Sequence, residues 1–196
     1  MPPTIRLATP DDAEQVRAIY APYCDTPISF ELGPPGVEEV RERLAKVLAQ
    51  YPWLLCEDGG EALGYAYASR HRERAAYHWS VDTSVYVRQG RQRRGVGRAL
   101  YTSLLALLPL QGFVSAFAGV TLPNPASVGL HEAMGFQPVG VYNRVGFKSG
   151  AWHDVAWFQR PLQLPPGAPP PPLRALDEVR HTAAWAEALG GGLRLL

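Results

Sequence analysis

One short segment of this 196-residue chain combines glycines and arginines in a way that can hold an anion. The segment is Gln92-Arg93-Arg94-Gly95-Val96-Gly97, and Arg98 follows it directly. Val85 and Val87, just upstream, belong to a β-branched and aromatic run that is typical of a strand. Downstream, leucines recur at helical spacing. A loop that opens a helix presents unpaired N–H groups at the positive end of the helix dipole, which suits a pyrophosphate.

The same segment also fits a tight turn between a strand and a helix, with arginines that are merely solvated. A dinucleotide-binding turn is disfavoured because Leu100 replaces the third glycine of G-x-G-x-x-G. A phosphate loop of the Walker type is disfavoured as well, since no lysine follows the second glycine. We expect the leucine-rich helix to end at Pro109, because proline breaks a helix.

Two motifs in this order resemble those of a known superfamily. The pattern Q-x-x-G-x-G before a helix resembles the coenzyme A pyrophosphate loop of the GCN5-related N-acetyltransferases. The segment NPASVGLHEAMGF, residues 124–136, is similar to their N-x-x-[AS]-x-x-L-[YH]-E-x-x-G-F signature. Three further segments resemble the phosphinothricin acetyltransferase family, and the likeness covers about residues 4–162: YPWL at 51–54, WSVDTSVYV at 79–87 and GFKSGAWHDV at 146–155.

The resemblance implies an α/β fold with a mixed, splayed sheet of about seven strands, flanked by helices on both faces. In that fold the strands on either side of the coenzyme loop part, and acetyl-CoA lies in the opening. The implied reaction moves the acetyl group of acetyl-CoA to the α-amine of a small amino acid or analogue, of the phosphinothricin or methionine sulfoximine type. Two alternatives stay open: another amine (a polyamine, an aminoglycoside or a protein N-terminus), or a catalytically weak coenzyme A-binding module that acts through protein contacts.

The resemblance places two residues at catalytic positions. Asp82 stands where the phosphinothricin acetyltransferases usually carry a glutamate as general base. Aspartate is one methylene shorter, so we expect a water to relay the proton. His131 stands where many members of the superfamily have a tyrosine that protonates the leaving thiolate. Both also have a structural interpretation: Asp82 as a strand residue or the partner of an arginine, and His131 as a hydrogen-bonded histidine on a helix.

The same resemblance implies the residues that bind the coenzyme. Backbone N–H groups of residues 92–97, with Arg98 beside them, would hold the pyrophosphate. Val85 and Val87 would offer main-chain edges to the pantetheine. Asn124 resembles the asparagine that hydrogen-bonds the pantetheine arm, and Ser127 of the same motif falls on the coenzyme side. An Asn-Pro pair is equally a plain helix cap.

For the substrate, the comparison with the family points to Phe30, Arg72 and Arg74, and Tyr77 is a candidate for the wall of the pocket. An amino-acid carboxylate or a phosphinate is bound well by the planar fork of a guanidinium. Trp152 is a further candidate for the wall of the pocket. The alternatives are ordinary charge at a hairpin tip for the arginines and core packing for the aromatic residues.

Composition limits the partners of the chain. A formal net charge of +1 provides no overall field for nucleic acid or an anionic membrane. The five histidines have no ligand spacing with cysteines or carboxylates, so we expect no metal. The two cysteines, Cys24 and Cys56, lack the spacing of a disulfide framework and favour buried thiols in the cytoplasm. We find no secretory signal and no apolar run of membrane-spanning length, and we expect a cytoplasmic protein.

The spacing of apolar residues and turn signals predicts the main elements. We expect a strand at residues 5–7, helices at 9–23 and 37–49, and a hairpin that turns at Asp58-Gly59-Gly60. A strand ending at Val87 precedes the glycine loop and the leucine-rich helix. The last predicted elements are a strand at 114–120, a helix at 125–134, and strands at 139–145 and 155–159.

The composition changes after residue 162 and divides the chain into an N-acetyltransferase domain (1–162), a proline-rich linker (163–172) and a tail (173–196). We expect one amphipathic helix from Leu173 to Leu189, ended by three glycines. Its predicted buried stripe consists of Leu176, Val179, Ala183 and Ala186. A lone helix of this length is marginal in water, so the tail should pack on its own domain or on a second subunit. Because members of the family commonly pair, we favour a homodimer.

Overall fold

A computed structural model describes residues 2–165 and 167–196. Within this described part, one mixed sheet of seven strands forms the centre of the fold, in the order β1-β2-β3-β4-β5-β7-β6. Neighbouring strands are antiparallel except β4 and β5, which are parallel. The strands are β1 (Thr4–Leu7), β2 (Trp53–Asp58), β3 (Glu61–Arg70), β4 (Ser80–Val87), β5 (Ser115–Thr121), β6 (Gln137–Lys148) and β7 (Ala151–Pro161).

Helices cover both faces of this sheet, as the resemblance implies. Those of the described chain are α1 (Ala13–Cys24), α2 (Val37–Leu48), α3 (Val96–Gln111), α4 (Pro125–Ala133), α5 (Leu176–Val179) and α6 (Ala183–Gly191). Alternate residues of β2 point to opposite faces. Trp53 and Leu55 pack with α1 and α2, whereas Leu54 and Cys56 pack with α3. The α/β prediction is therefore confirmed.

The sheet opens between its two parallel strands. β4 and β5 pair only where Ser80 to Asp82 lie opposite Ser115 to Phe117. Beyond Asp82 the strands part, and the backbone of the rest of β4 borders a cleft. The predicted splay around the coenzyme loop is confirmed.

The predicted bounds of α3 and of the last two strands are wrong. Helix α3 does not stop at Pro109 but continues to Gln111, where Gly112 ends it with a φ of 98°. Proline is tolerated here because it lies in the last turn, where only one intrahelical hydrogen bond is lost and the buried leucines hold the helix in place. The final two strands are longer than predicted. Ser149 and Gly150 both have positive φ (53° and 79°), which gives the tight hairpin turn that lets the pairing continue to its end.

The tail is not the single helix that its periodicity predicts. α5 ends at Val179, and α6 begins after Thr182, whose side-chain oxygen accepts a hydrogen bond from Trp185 N. The break resets the helical phase, so the predicted stripe is only half right. Leu176 and Val179 are buried, whereas Ala183 and Ala186 are exposed, and Trp185 takes their place at 3% exposure.

The tail packs against α3 of its own chain. Ser103 Oγ donates to the carbonyl of Leu189 at 2.7 Å and accepts from Gly192 N at 3.2 Å. A Cβ at Gly192 would lie 2.0 Å from the carbonyl oxygen of Ala99, so only glycine permits this close approach. A final 3₁₀ turn at Gly192–Leu195 then carries the chain to the glycine loop, where a Cβ at Gly95 would lie 2.7 Å from the carbonyl oxygen of Leu195. The tail therefore supports the beginning of α3.

Candidate active site

The parted strands border a cleft of about 500 Å³. Ten of the eleven residues predicted for the coenzyme line it: Val85, Val87, Gln92, Arg93, Gly95, Val96, Gly97, Arg98, Asn124 and Ser127. The eleventh, Arg94, is exposed and lies outside the lining. The reason is local: Arg93 and Gly95, on either side of it, both have positive φ, and the loop turns the Arg94 side chain to solvent.

The loop and the first turn of α3 form one wall of this cleft. Because α3 begins at Val96, the N–H groups of its first turn have no partner inside the helix, and an anion can accept them. Gly97 leaves little room here: a Cβ at this position would lie 3.3 Å from Leu130 Cδ2 and 3.5 Å from Val87 Cγ2. The geometry suits a diphosphate that approaches the backbone closely.

The opposite wall begins at Asn124. Its Oδ1 accepts a hydrogen bond from Ser127 N at 3.1 Å and caps α4, as the helix-cap interpretation predicts. Tyr23, which the sequence did not single out, also lines the cleft, and its hydroxyl donates to the carbonyl oxygen of Val87 at 2.5 Å.

A smaller space of about 60 Å³ adjoins this cleft at the side of Ser127 and contains His131 and Tyr101 in its walls. His131 is 4% exposed, and its Nδ1 lies 2.8 Å from the carbonyl oxygen of Ser127. We assign the proton of the neutral ring to Nδ1, so that Nε2 accepts from the Tyr101 hydroxyl at 3.0 Å. Burial lowers the pKa of His131, partly offset by the hydrogen bond to Ser127.

This arrangement changes the role expected for His131. A neutral ring with its proton on Nδ1 has no proton on Nε2 to give to a thiolate. The Tyr101 hydroxyl donates its one proton to this Nε2, and burial raises the pKa of Tyr101 well above its ordinary value. Tyr101 was missed because it lies within the leucine-rich run of α3 and resembles a core residue there.

The substrate side contains a third space, of about 450 Å³, in which two predicted residues meet. Phe30 and Arg72 both line it, and the Arg72 guanidinium lies over the Trp157 ring, 5.5 Å from its centroid. Ile28 and Tyr86 line this space as well as the two described above. The three spaces therefore form one continuous groove from the glycine loop to Arg72.

The other predicted substrate residues lie outside the lining of this space. Arg74 is exposed where it starts a short 3₁₀ turn, Ala75–Tyr77, which directs its side chain to solvent. Tyr77 packs edge-on against His71 with ring centroids 5.9 Å apart. Trp152 is 60% exposed at the end of the β6–β7 hairpin, where it contacts Phe147. Sequence position alone did not separate these residues from Arg72.

Phe30 is held in place by contacts from β6. A Cβ at Gly146 would lie 2.3 Å from the Phe30 ring, so glycine is required beneath it. Lys148 is 7% exposed, and its Nζ donates to the carbonyl oxygens of Cys24 (2.7 Å), Thr26 (2.9 Å) and Ser29 (2.6 Å). This buried ammonium fixes the loop that carries Phe30, which accounts physically for the glycine and lysine of the GFKSG segment.

Asp82 has a partner that the sequence did not indicate. Its Oδ1 lies 2.6 Å from His71 Nδ1, and the His71 ring stacks on Phe117 with centroids 4.2 Å apart. Burial raises the pKa of Asp82, while the hydrogen bond to His71 and the charges of His71 and Arg72 oppose that rise. The structural interpretation offered an arginine as the partner of Asp82, whereas the hydrogen-bonding group in the structure is an imidazole.

The comparisons with known proteins agree with this geometry. Residues 5–157 match the acetyltransferase (GNAT) domain family. The parted strands, the glycine loop at the start of α3 and the match over most of its length show that the chain belongs to this family. It is an N-acetyltransferase that uses acetyl-CoA as co-substrate.

Its relatives include enzymes that act on amino-acid analogues. The phosphinothricin N-acetyltransferase of Streptomyces viridochromogenes is 41% identical over 179 residues, 91% of this chain and 97% of that protein. That of Alcaligenes faecalis is 43% identical over 81% of this chain and 82% of that protein. An L-methionine sulfoximine/L-methionine sulfone acetyltransferase of Pseudomonas paraeruginosa is 35% identical over 64% of this chain and 73% of that protein.

The structure is also similar to a solved one. The phosphinothricin acetyltransferase of Sinorhizobium meliloti, in complex with acetyl-CoA, superposes with a TM-score of 0.78 at 34% identity, over 82% of this chain and 89% of that one. Among the residues described for the present chain, no helix is long and apolar enough to cross a membrane. The same residues contain no cluster of three or more side chains suited to a metal ion.

Proposed function

We propose that this enzyme acetylates the α-amine of a small amino acid or analogue that carries an anionic or strongly polar side-chain head, of the phosphinothricin or methionine sulfoximine type. The observation that carries the proposal is the groove, which leads from the glycine loop to a space of about 450 Å³ with Arg72 in its wall. A guanidinium fork fits a carboxylate or a phosphinate. The relatives act on substrates of this class.

The coenzyme is assigned to the first part of the groove. Backbone N–H groups of the first turn of α3 bind the pyrophosphate, and Arg93 and Arg98 add positive charge. The parted edge of β4 at Val85 and Val87 hydrogen-bonds the pantetheine. Bound in this way, acetyl-CoA supplies the thioester whose carbonyl carbon the amine attacks.

The chemistry needs one group that accepts a proton and one that donates a proton. The attacking amine forms a C–N bond with the acetyl carbon and loses a proton on the Asp82 side of the groove. The C–S bond breaks, and the thiolate leaves with the coenzyme and takes its proton from solvent. In this proposal His131 and Tyr101 hold each other in place, because the neutral Nε2 accepts the one hydroxyl proton of Tyr101.

The test is a panel of amines scored by release of free thiol from acetyl-CoA. Phosphinothricin and methionine sulfoximine should react, whereas spermidine, an aminoglycoside and a peptide N-terminus should be much slower. Reaction of one of those amines instead would replace the proposed substrate. If no amine releases thiol while calorimetry shows that coenzyme A still binds, the protein is a coenzyme-binding module.

Two neighbouring arginines provide a matched pair for the carboxylate or phosphinate contact. Arg72→Ala should raise the KM for phosphinothricin by about tenfold or more, since a hydrogen bond to a charged group contributes about 1.5–3 kcal/mol. Arg74→Ala, whose side chain is exposed outside the groove, should leave KM unchanged. Equal effects of the two changes would remove Arg72 from the substrate site.

We also propose that the enzyme forms a homodimer through the β6–β7 hairpin in the cytoplasm. β6 is an edge strand of the sheet and exposes several large apolar side chains: Val139, Val141, Tyr142, Val145 and Phe147. Such a patch is typical of an interface. The unpaired, buried thiols of Cys24 and Cys56 support a reducing compartment. Analytical ultracentrifugation should give twice the chain mass, and Val141→Lys should shift it toward the monomer.

A further inference from the structure

The hydrogen bond between His71 and Asp82 has a consequence for the reaction. An aspartate at the position of the general base is one methylene shorter than a glutamate, so its carboxylate reaches less far from β4. The Nδ1 atom of His71 lies 2.6 Å from the Oδ1 atom of this carboxylate. The shorter carboxylate therefore has a side-chain partner at hydrogen-bond distance, through which a proton can be relayed.

His71 is held in one orientation by several aromatic groups. Its ring stacks on Phe117 at 4.2 Å and meets the edge of Tyr77 at 5.9 Å. On a third side the Trp157 ring lies at 6.4 Å, and Trp157 itself lines the substrate space. A ring fixed in this way directs its two nitrogens without a further loss of side-chain entropy on binding.

The two nitrogens of the ring have different roles in this arrangement. When Nδ1–H donates to a carboxylate, the neutral imidazole has its free lone pair on Nε2, as in a Ser-His-Asp triad. Among the residues described in the structure, only Asp82 hydrogen-bonds the imidazole. The charged and titratable groups around the ring are Asp82 on β4, Arg72 in the following position of the loop and Tyr77 in the 3₁₀ turn.

We propose that His71 Nε2, oriented by Asp82, is the general base that takes the proton of the substrate amine. This inference rests on the proposed function. As the neutral amine attacks the acetyl carbon, the C–N bond forms and one N–H proton passes to Nε2. The carboxylate of Asp82 stabilises the resulting imidazolium, which returns its proton to solvent after the thiol has left.

The experiment compares His71→Ala with wild type in kcat/KM for the amine that the panel identifies. A decrease of about 10² to 10⁴ is expected, the usual range for a lost general base, with unchanged coenzyme affinity by calorimetry. His78→Ala, an exposed histidine of the same loop, serves as control and should match wild type. The double variant His71→Ala/Asp82→Ala should be no slower than the slower single variant, because the pair acts as a unit.

Two readouts separate a base from a structural residue. Added 4-methylimidazole should restore activity to His71→Ala by filling the space of the missing ring. The double variant His71→Ala/Asp82→Glu should regain at least tenfold over His71→Ala, because the longer carboxylate reaches the amine directly. The acidic limb of the kcat/KM profile should move to lower pH in that variant, where a carboxylate replaces an imidazole as base.

Several results would overturn the inference. His71→Ala within threefold of wild type over about pH 6 to 9 would leave Asp82 as the base. Failure of both rescues would assign His71 a structural role. If the panel shows a different class of amine, the proposed substrate is wrong, and the same variants measured with that amine still decide the role of His71. A wild-type protein that acetylates no amine would overturn both proposals.

Discussion

The two ends of the groove differ in the groups that line them: mainly backbone at one end and side chains at the other. The end proposed for the coenzyme consists largely of main chain: the N–H groups at the start of α3 and the parted edge of β4. The end proposed for the substrate consists of side chains from separate elements, such as His71 with Asp82 and Lys148 with the loop after α1. A substrate site of side chains can change by single substitutions while the coenzyme site stays the same.

The largest effect is expected at the substrate end, from Asp82→Ala. Loss of this carboxylate should lower kcat/KM by about 10² to 10⁴, because Asp82 orients the proposed base His71 and stabilises its protonated form. Coenzyme affinity measured by calorimetry should not change, since Asp82 is outside the lining of the coenzyme cleft. Asp58→Ala, an exposed carboxylate in a hairpin, is the control. Activity within a few-fold of wild type would remove Asp82 from the mechanism.

The next effect tests whether the tail supports the coenzyme end. Trp185→Ala should destabilise the protein by about 3–5 kcal/mol, since it leaves a large cavity against α3. Because Leu195 contacts Gly95, we also expect weaker coenzyme binding. Denaturant unfolding and calorimetry provide the two measurements, and Glu187→Ala on the exposed side of α6 is the control. Unchanged stability would mean that the tail does not pack in solution.

Lys148→Met should affect only the substrate end of the groove, because Lys148 holds the loop that carries Phe30. Three backbone carbonyls lose their donor, and we expect a destabilisation of about 3 kcal/mol after partial hydration. The KM of the amine should rise, whereas coenzyme affinity should not. The only other lysine, Lys46, is exposed, and Lys46→Met gives the matched control. A rise in the dissociation constant of coenzyme A instead would contradict the division of the groove into a coenzyme end and a substrate end.

Gly97→Val should act only at the coenzyme end. The added side chain would enter the narrow space between Leu130 and Val87, and we expect coenzyme affinity to fall by about tenfold or more, as close approach of the pyrophosphate is blocked. Gly129→Ala is the control, because a Cβ there meets nothing within 4 Å. Unchanged affinity in a folded Gly97→Val protein would place the anion elsewhere.

The smallest effect is a pH dependence of stability that arises from His131, between the two ends. Burial lowers its pKa from the ordinary 6.5, so the unfolded state binds a proton more readily than the folded state. This contribution to stability is complete above pH 6.5 and decreases as the pH falls, by no more than about 1.4 kcal/mol per pH unit. Unfolding free energies of His131→Gln should show a shallower slope than wild type or than the exposed-site variant His181→Gln.

The elements themselves were largely predictable, since they follow from local patterns. The strand and helix around the glycine loop, the hairpin at Gly59 and the helix that begins at Pro125 all lie within a few residues of their predicted bounds. The errors at Pro109 and in the tail have one cause. A prediction from propensity considers only neighbouring residues when it places a proline or follows the helical phase. In the folded chain, the burial of leucines in α3 and of Trp185 in α6 decides where these helices end.

The α/β fold and the loop proposed to bind the coenzyme were predictable from the sequence. A pyrophosphate site built of consecutive N–H groups needs a continuous stretch of sequence, which leaves a recognisable motif. The packing of the folded chain, in contrast, brings His71 to Asp82, pairs Tyr101 with His131 and leaves Arg74 exposed. These contacts join residues from separate elements: the loop after β3 with β4, and α3 with α4. Their distances depend on the packing of those elements, which spacing along the chain does not encode.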